Sequence, residues 1–318
     1  MAYNGGSLLP LREKDRMRGD FVAISFLHSL RVGFSYTMKR WRILLFVMPV
    51  VLAIAACAGN PPALSEQQEA AIQFNQRGET AFRRGDYAQA LQEYQGALAI
   101  HRSVENVAGI ATELLNLSVI YRRLGDKAAA QATLDQILTE RSPAFSADQK
   151  AEAAYRKAGY YFDDGNEAEA LSWRNKALEY CHGCGAEGRL YNLMARMALI
   201  GQPQDAMNHA RRALALNRKA GDKNETANSL RLIADAAFKL EDFKTAQQSY
   251  DDALRLDKES GAAAKITFDL MGLGRSFARQ DRRAEAAEYF QRAYSVSEGV
   301  GDTKAMEEAA AEIKKVIP

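Results

Sequence analysis

Proline (7), cysteine (3) and histidine (4) are all scarce in this chain of 318 residues, and what is missing excludes several classes of function. The four histidines, His28, His101, His182 and His209, fall in no metal-ligand spacing such as H-E-x-x-H. No nucleophile elbow occurs, and no glycine-rich phosphate loop follows a strand. The adjacent acids Asp163-Asp164 and Asp251-Asp252 point apart on a helix, which suits a solvated surface better than paired acid–base work. Nothing here points to catalysis. Strand-like Val/Ile/Thr runs are absent after Cys57 and alanine is abundant there, so the expected class is all-α. A basic face is missing as well. The formal charge of +2 comes from 42 basic and 40 acidic residues. Residues 1–56 hold 8 of the basic and 3 of the acidic ones, which leaves 34 basic against 37 acidic in residues 57–318. No nucleic-acid partner is expected of that part.

One long apolar run is present. "MKRWR" (Met38–Arg42) is a short basic segment, and "ILLFVMPVVLAIAA" follows it without a charge. That run is short for a membrane span and suits a secretory signal. It closes on Ile54-Ala55-Ala56-Cys57. This order resembles the lipobox of bacterial lipoproteins. The resemblance implies that Cys57 carries a diacylglycerol and becomes the mature N-terminus, with residues 38–56 removed as a signal peptide. Ala58 follows the cysteine where an inner-membrane retention signal places Asp, which by the same resemblance favours the periplasmic face of the outer membrane. Residues 1–37 show no sustained helical period and read as a disordered extension or as a start assigned too far upstream. Residues 57–69, containing "AGNPPALSEQQ", read as a lipidated polar tether, and residues 70–318 as the folded domain with its final helix.

That domain repeats. "RGDYAQALQEYQGAL" (Arg84–Leu98) aligns with segments beginning at Leu124, Asp164, Ile200, Leu240 and Gln280. One alanine recurs in all six, at Ala90, Ala130, Ala170, Ala206, Ala246 and Ala286. Seven residues on come Ala97, Ala177, Ala213, Ala253 and Ala293, with Ile137 as the exception. Each segment follows a turn holding Gly85, Gly125, Gly165, Gly201, Glu241 or Asp281. An upstream helix places Gly78, Ser118, Ala158, Met194, Ala234 or Gly274 at its own small position. Aromatics recur where the two helices meet, among them Tyr94, Tyr121, Tyr161, Tyr250, Phe277 and Phe290. Close antiparallel helices need small residues where backbones approach and large ones beside them. One such pair cannot bury its apolar face alone, so neighbours must stack.

The pattern resembles the tetratricopeptide repeat family, over Ala71 to about Ser297. The resemblance implies a right-handed α-solenoid of about six helix–turn–helix repeats, capped by "TKAMEEAAAEIKKVI" (Thr303–Ile317). The spacing of about 40 exceeds the family's usual period of about 34, and the fourth repeat lacks the aromatics and carries Pro203 after its turn.

Cys181 and Cys184 form a C-x-x-C in "EYCHGCGAEG". A thioredoxin-like site needs a βαβ surround, haem attachment needs a histidine after the second cysteine, and zinc needs further ligands than His182. The expectation is a glycine-rich turn between the third and fourth repeats, closed by a disulfide in an oxidising periplasm. Unpaired thiols, and a thiol–disulfide or metal-binding role, stay open as alternatives.

The family resemblance also implies a groove along the first helix of each repeat. Carried over position by position, its lining is Asn75, Glu79 and Phe82; Leu115, Val119 and Arg122; Tyr155 and Phe162; Tyr191; Asn228, Arg231, Asp235 and Phe238; and Met271 and Arg275. The expected partner is a protein or peptide segment with apolar anchors. No cofactor is expected beyond the lipid on Cys57. The implied role is a membrane-anchored interaction scaffold of the cell envelope, serving secretion, pilus assembly or the delivery of substrates to proteases.

Overall fold

The computed structural model describes residues 65–139 and 144–317, and among these residues all regular structure is α-helical. Helices pair in sequence: α1 (Glu66–Arg83) with α2 (Tyr87–Ser103), α3 (Val107–Arg123) with α4 (Lys127–Thr139), and α5 (Ala147–Asp163) with α6 (Glu167–Tyr180). Next come α7 (Glu187–Ala198) with α8 (Pro203–Ala220), α9 (Lys223–Lys239) with α10 (Phe243–Ser260), and α11 (Ala263–Ala278) with α12 (Arg283–Gly299). A final helix, α13 (Thr303–Val316), packs on α12. The chain divides into two compact units, with the division inside α4 between Thr133 and Leu134. The N-terminal unit holds α1 to α3. The C-terminal unit holds α5 to α13. Cys57 and the segments 1–37 and 38–56 lie outside the described residues.

The helix ends follow from local chemistry. In the turns inside the first three pairs, Gly85, Gly125 and Gly165 adopt left-handed φ of +79, +84 and +76°, which glycine takes without strain. Glu241 and Asp281 hold the same place in the last two pairs at +61 and +57°. The next residue often caps the following helix. Asp86, Asp126, Asn166 and Asp242 each accept a hydrogen bond from the backbone N–H three residues on. The fourth turn differs: Gly201 is not left-handed, Gln202 makes no side-chain cap, and Pro203 opens α8. At the N-terminus, Ser65 and Gln68 form a reciprocal capping box that starts α1 at Glu66. The tether therefore ends before residue 69, because the cap lies inside the stretch that reads as polar linker.

The small residues sit where the pairs close. Ala90, Ala130, Ala170, Ala206, Ala246 and Ala286 are fully buried, as are Ala97, Ile137, Ala177, Ala213, Ala253 and Ala293. A Cβ added to Gly78 would lie 3.0 Å from the Tyr94 ring, and one added to Gly274 would lie 2.4 Å from the Phe290 ring. A side chain at Gly274 would force the Phe290 ring to shift, and one at Gly78 would need the Tyr94 ring to give by a few tenths of an ångström. In the fourth pair Ala195 is fully buried and Met194 is half-buried. The register of α7 is one residue later than the sequence alignment places it.

Candidate interaction face

In each unit polar residues lie in the core beside the first helices. In the N-terminal unit Asn75 of α1 donates to Glu113 of α3 at 2.8 Å, and both are buried. The His101 ring of α2 comes within 3.8 Å of the same carboxylate. Asn106 Nδ2 lies 3.2 Å from His101 Nδ1 and can only donate, so the ring proton falls on Nε2, toward Glu113. In the C-terminal unit Glu152 of α5 receives Arg189 of α7 at 2.6 Å and Arg156 at 2.9 Å. Asn192 of α7 donates to Glu225 of α9 at 2.8 Å and accepts from Ser229. Arg231 of α9, wholly buried, donates to Asp269 of α11 at 2.7 Å, to Asn228 at 3.0 Å and to Asp257 of α10.

Asn75, Leu115, Val119, Arg231 and Met271, expected on the groove, are therefore corrected to core positions: none is more than 6% exposed. The reason is packing. Asn75 and Arg231, three places before a small position, meet the next first helix, and Leu115, Val119 and Met271 are buried as well, whereas Tyr155 at the same place in α5 stays half-buried. Tyr191 is corrected as well. The one-residue shift in α7 puts Asn192 at that place and turns Tyr191 toward its own partner helix, against His209 (6.0 Å between rings) and beneath Arg212 (4.3 Å).

These polar residues left a sequence signal that the groove assignment missed. Four residues after the second small position of a pair stand His101, Asn217, Asp257 and Ser297, each buried and polar. Asn217 donates to Ser229, and Ser297 meets Thr267 at 3.3 Å. In the third pair that place belongs to Cys181, which forms a disulfide with Cys184. The two cysteines pack with Ala151, Ala186 and Tyr180. Among the described residues no group of three His, Cys, Asp or Glu is placed to hold a metal ion.

The remaining residues are half-buried and line the partly open side of the first helices. In the N-terminal unit these are Glu79, Phe82 and Arg122, with the Phe82 ring 5.6 Å from Tyr87 and 5.9 Å from the Arg123 guanidinium. In the C-terminal unit they are Tyr155, Phe162, Asn228, Asp235, Phe238 and Arg275. Tyr155 also packs against the core of Ala154, Ala177 and Leu190, so it is part anchor and part core. Phe162 lies under Arg196 at 5.1 Å, and Phe238 under Arg279 at 5.8 Å. Asp235 accepts from the Tyr250 hydroxyl. Phe268, absent from the sequence-derived set, joins this face between Arg231 (5.8 Å) and Arg275 (6.0 Å). Guanidinium-over-ring contacts recur along this face.

Burial sets the titration of the buried polar residues. Burial pushes the Glu113 carboxyl up to about 7, against the hydrogen bonds from Asn75 and Asn116. Burial also pushes His101 down. Glu152 has the opposite balance: burial opposes its charge, but Arg189 and Arg156 hold it at about 2. At Arg231 one cation meets two carboxylates. Burial, with the neighbouring Asp257 adding to it, lifts Asp269 to about 7 despite the guanidinium.

Two family profiles described as tetratricopeptide repeat match the chain, one at residues 68–139 and 201–259 and the other at 115–181 and 231–299. No curated protein sequence matches it. Among solved structures it is similar to a signal transduction ATPase with numerous domains and a tetratricopeptide repeat sensor from Pyrococcus horikoshii, at TM-score 0.60 and 16% identity over 87% of this chain. This chain spans 43% of that protein's length. RapI in its apo form is similar at TM-score 0.55 and 16% identity, covering 77% of this chain and 70% of that one. A Rap protein complexed with competence and sporulation factor is similar at TM-score 0.51 and 17% identity, covering 79% and 76%. At such identities the likeness concerns the fold. Together the profile matches span residues 68–181 and 201–299, and the chain belongs to the tetratricopeptide repeat family.

Proposed function

We propose that this protein is a non-catalytic scaffold that holds a protein or peptide segment on the first-helix face of its C-terminal unit, and that a lipid on Cys57 keeps it at the bacterial envelope. The observation that carries the first part is the row of half-buried Tyr155, Phe162, Asn228, Phe238 and Arg275, with Phe268 among them. Aromatic side chains carry much of an interface's energy when they are desolvated. Membership of a repeat family built for protein contacts supports the same reading. So does a structure of similar fold, the Rap protein solved with competence and sporulation factor. Photo-crosslinking in intact cells tests it. A crosslinker at Phe268 or Phe238 should give a discrete protein adduct, and one at Glu298, on the exposed side of α12, should not. Adducts from Glu298 alone would move the partner to the other side.

The lipid part is supported by the ordered basic segment, apolar run and Ile54-Ala55-Ala56-Cys57. Two or three acyl chains anchor a protein stably where one does not. Cys57→Ser should leave the precursor unprocessed. An unchanged mature mass and membrane fraction would exclude the anchor. Within the envelope, a tethered scaffold suits secretion or pilus assembly or the delivery of substrates to a protease.

A further inference from the structure

We propose that the outward face of α8 docks on an anionic lipid bilayer. The face lies on the fourth pair, the one that departs from the repeat pattern, and is separate from the first-helix row. Helix α8 carries Arg211, Arg212, Arg218 and Lys219 against one acid, Asp205. The corresponding second helices of the C-terminal unit, α6, α10 and α12, each carry one more acid than base. All four cations are exposed. Their spacing of seven residues sets Arg211 above Arg218 and Arg212 above Lys219, two adjacent rows two turns long and about 100° apart around the helix. Among the described residues only Arg212 of the four is held in an ion pair, to Glu187 at 3.2 Å.

A second observation lies beside the first. Ile200, in the turn that leads into α8, is 68% exposed, more than any other large apolar side chain among the described residues. Pro203 at the first turn of α8 follows it closely. Exposed cations on a helix, with an exposed aliphatic side chain in the turn that leads into it, are the parts a surface needs to meet headgroups and set one residue among them. Two clefts, of about 350 and 390 Å³, lie away from this face, one around Arg77 on α1 and the other over Ile266, Leu270 and Val296. Four exposed cations spread along a helix fit a plane of charge better than a single peptide anchor. Each Lys or Arg near an anionic leaflet strengthens binding about five-fold, so a few together suffice to orient a protein already close to the membrane.

The test is co-sedimentation of the whole chain with vesicles of phosphatidylcholine alone and of phosphatidylcholine mixed with phosphatidylglycerol, at low and high salt. The chain carries Lys39→Gln, Arg40→Gln and Arg42→Gln in every sample, so that the apolar run at residues 43–56 inserts into both vesicles without its basic flank and the difference between them reports the charged face. Phosphatidylglycerol should raise binding on the order of ten- to hundred-fold at low salt, and high salt should remove the gain. The triple variant Arg211→Gln, Arg218→Gln, Lys219→Gln should lose the gain and keep the phosphatidylcholine background. Arg211→Lys with Arg218→Lys should keep the gain. Lys244→Gln with Lys258→Gln on α10 should also keep it. Ile200→Ser should lower binding a few-fold. Unchanged thermal unfolding of each variant separates lost docking from lost fold. Absence of a phosphatidylglycerol gain, or a gain that survives the triple variant, overturns the proposal. Tight binding to polyglutamate without a vesicle gain would assign the face to an acidic protein segment instead. None of these outcomes depends on lipidation of Cys57 or on the first-helix row.

Discussion

Asn75 in the N-terminal unit and Arg231 in the C-terminal unit stand at the same place, three residues before the small position of a first helix. Each reaches an acid five residues before the next small position, Glu113 or Asp269. The N-terminal unit fills the slot with an amide, a carboxyl lifted to about 7 and a neutral imidazole. The C-terminal unit fills it with a guanidinium between two carboxylates. One backbone geometry thus accepts a neutral or an ionic solution. Each slot holds a carboxyl raised to about 7, Glu113 in the N-terminal unit and Asp269 in the C-terminal unit, so both are sensitive to pH near neutrality. The ionic one makes its unit dependent on keeping both signs of charge.

The largest effect should come from breaking the ionic slot. Arg231→Met leaves Asp257 and Asp269 buried without their cation and should cost the C-terminal unit about 3–5 kcal/mol. Asn75→Ala, its counterpart, should cost the N-terminal unit about 1–3 kcal/mol. Chemical denaturation followed by hydrogen exchange of α9 to α11 and of α1 to α3 reads the two separately. Similar losses would erase the contrast.

Next comes pH. Glu113 holds its proton to about 7 when folded and to about 4.5 when unfolded. Its contribution is fully present below pH 4.5 and is lost as pH rises through about 7, a fall of up to about 3 kcal/mol. His101 acts with the opposite sign. Its folded value is below 6.5, so its contribution is present above 6.5 and is lost as pH falls through the folded value. Glu113→Gln still accepts from Asn75 and should flatten the fall between pH 5 and 8 (~3 pH units) in α1 to α3. An unchanged slope would take the titration away from Glu113.

A smaller effect sharpens the C-terminal register. Ala195→Leu should overpack α7 against α8 and cost about 1–3 kcal/mol, as Ala90→Leu should in the N-terminal unit. Met194→Leu, at the half-buried neighbour, should cost less than about 1 kcal/mol. The reverse order would restore the alignment that sets Met194 at the small position. A similarly small effect is expected at the disulfide. Cys181→Ser opens a loop of only a few residues and should lower the midpoint of the C-terminal unit slightly, by less than about 2 kcal/mol.

The helix pairs were legible because their constraint is steric and repeats. Ala90 and its five counterparts, and the turns at Gly85, Gly125 and Gly165, report positions where nothing larger or no other φ fits. The face was legible only in part. The family pattern names which helix side faces inward, but the depth of each residue depends on how closely the next pair approaches. Asn75, Leu115, Val119, Arg231 and Met271 went from lining to core for that reason. Tyr191 was misplaced because α7 lacks the motif aromatics that would pin its register.

The sequence by itself determined the all-α class, the pairing of helices and the six small contacts, since these follow from periodicity, turn chemistry and residue size within some forty residues. Only the tertiary structure decided which polar residues are partners. His101, Asn217, Asp257 and Ser297 recur at one repeat position in the chain, yet nothing local says that one faces a neutral acid, another an arginine and another a serine. Those choices depend on side chains some 10 to 40 positions away, brought together when neighbouring pairs stack.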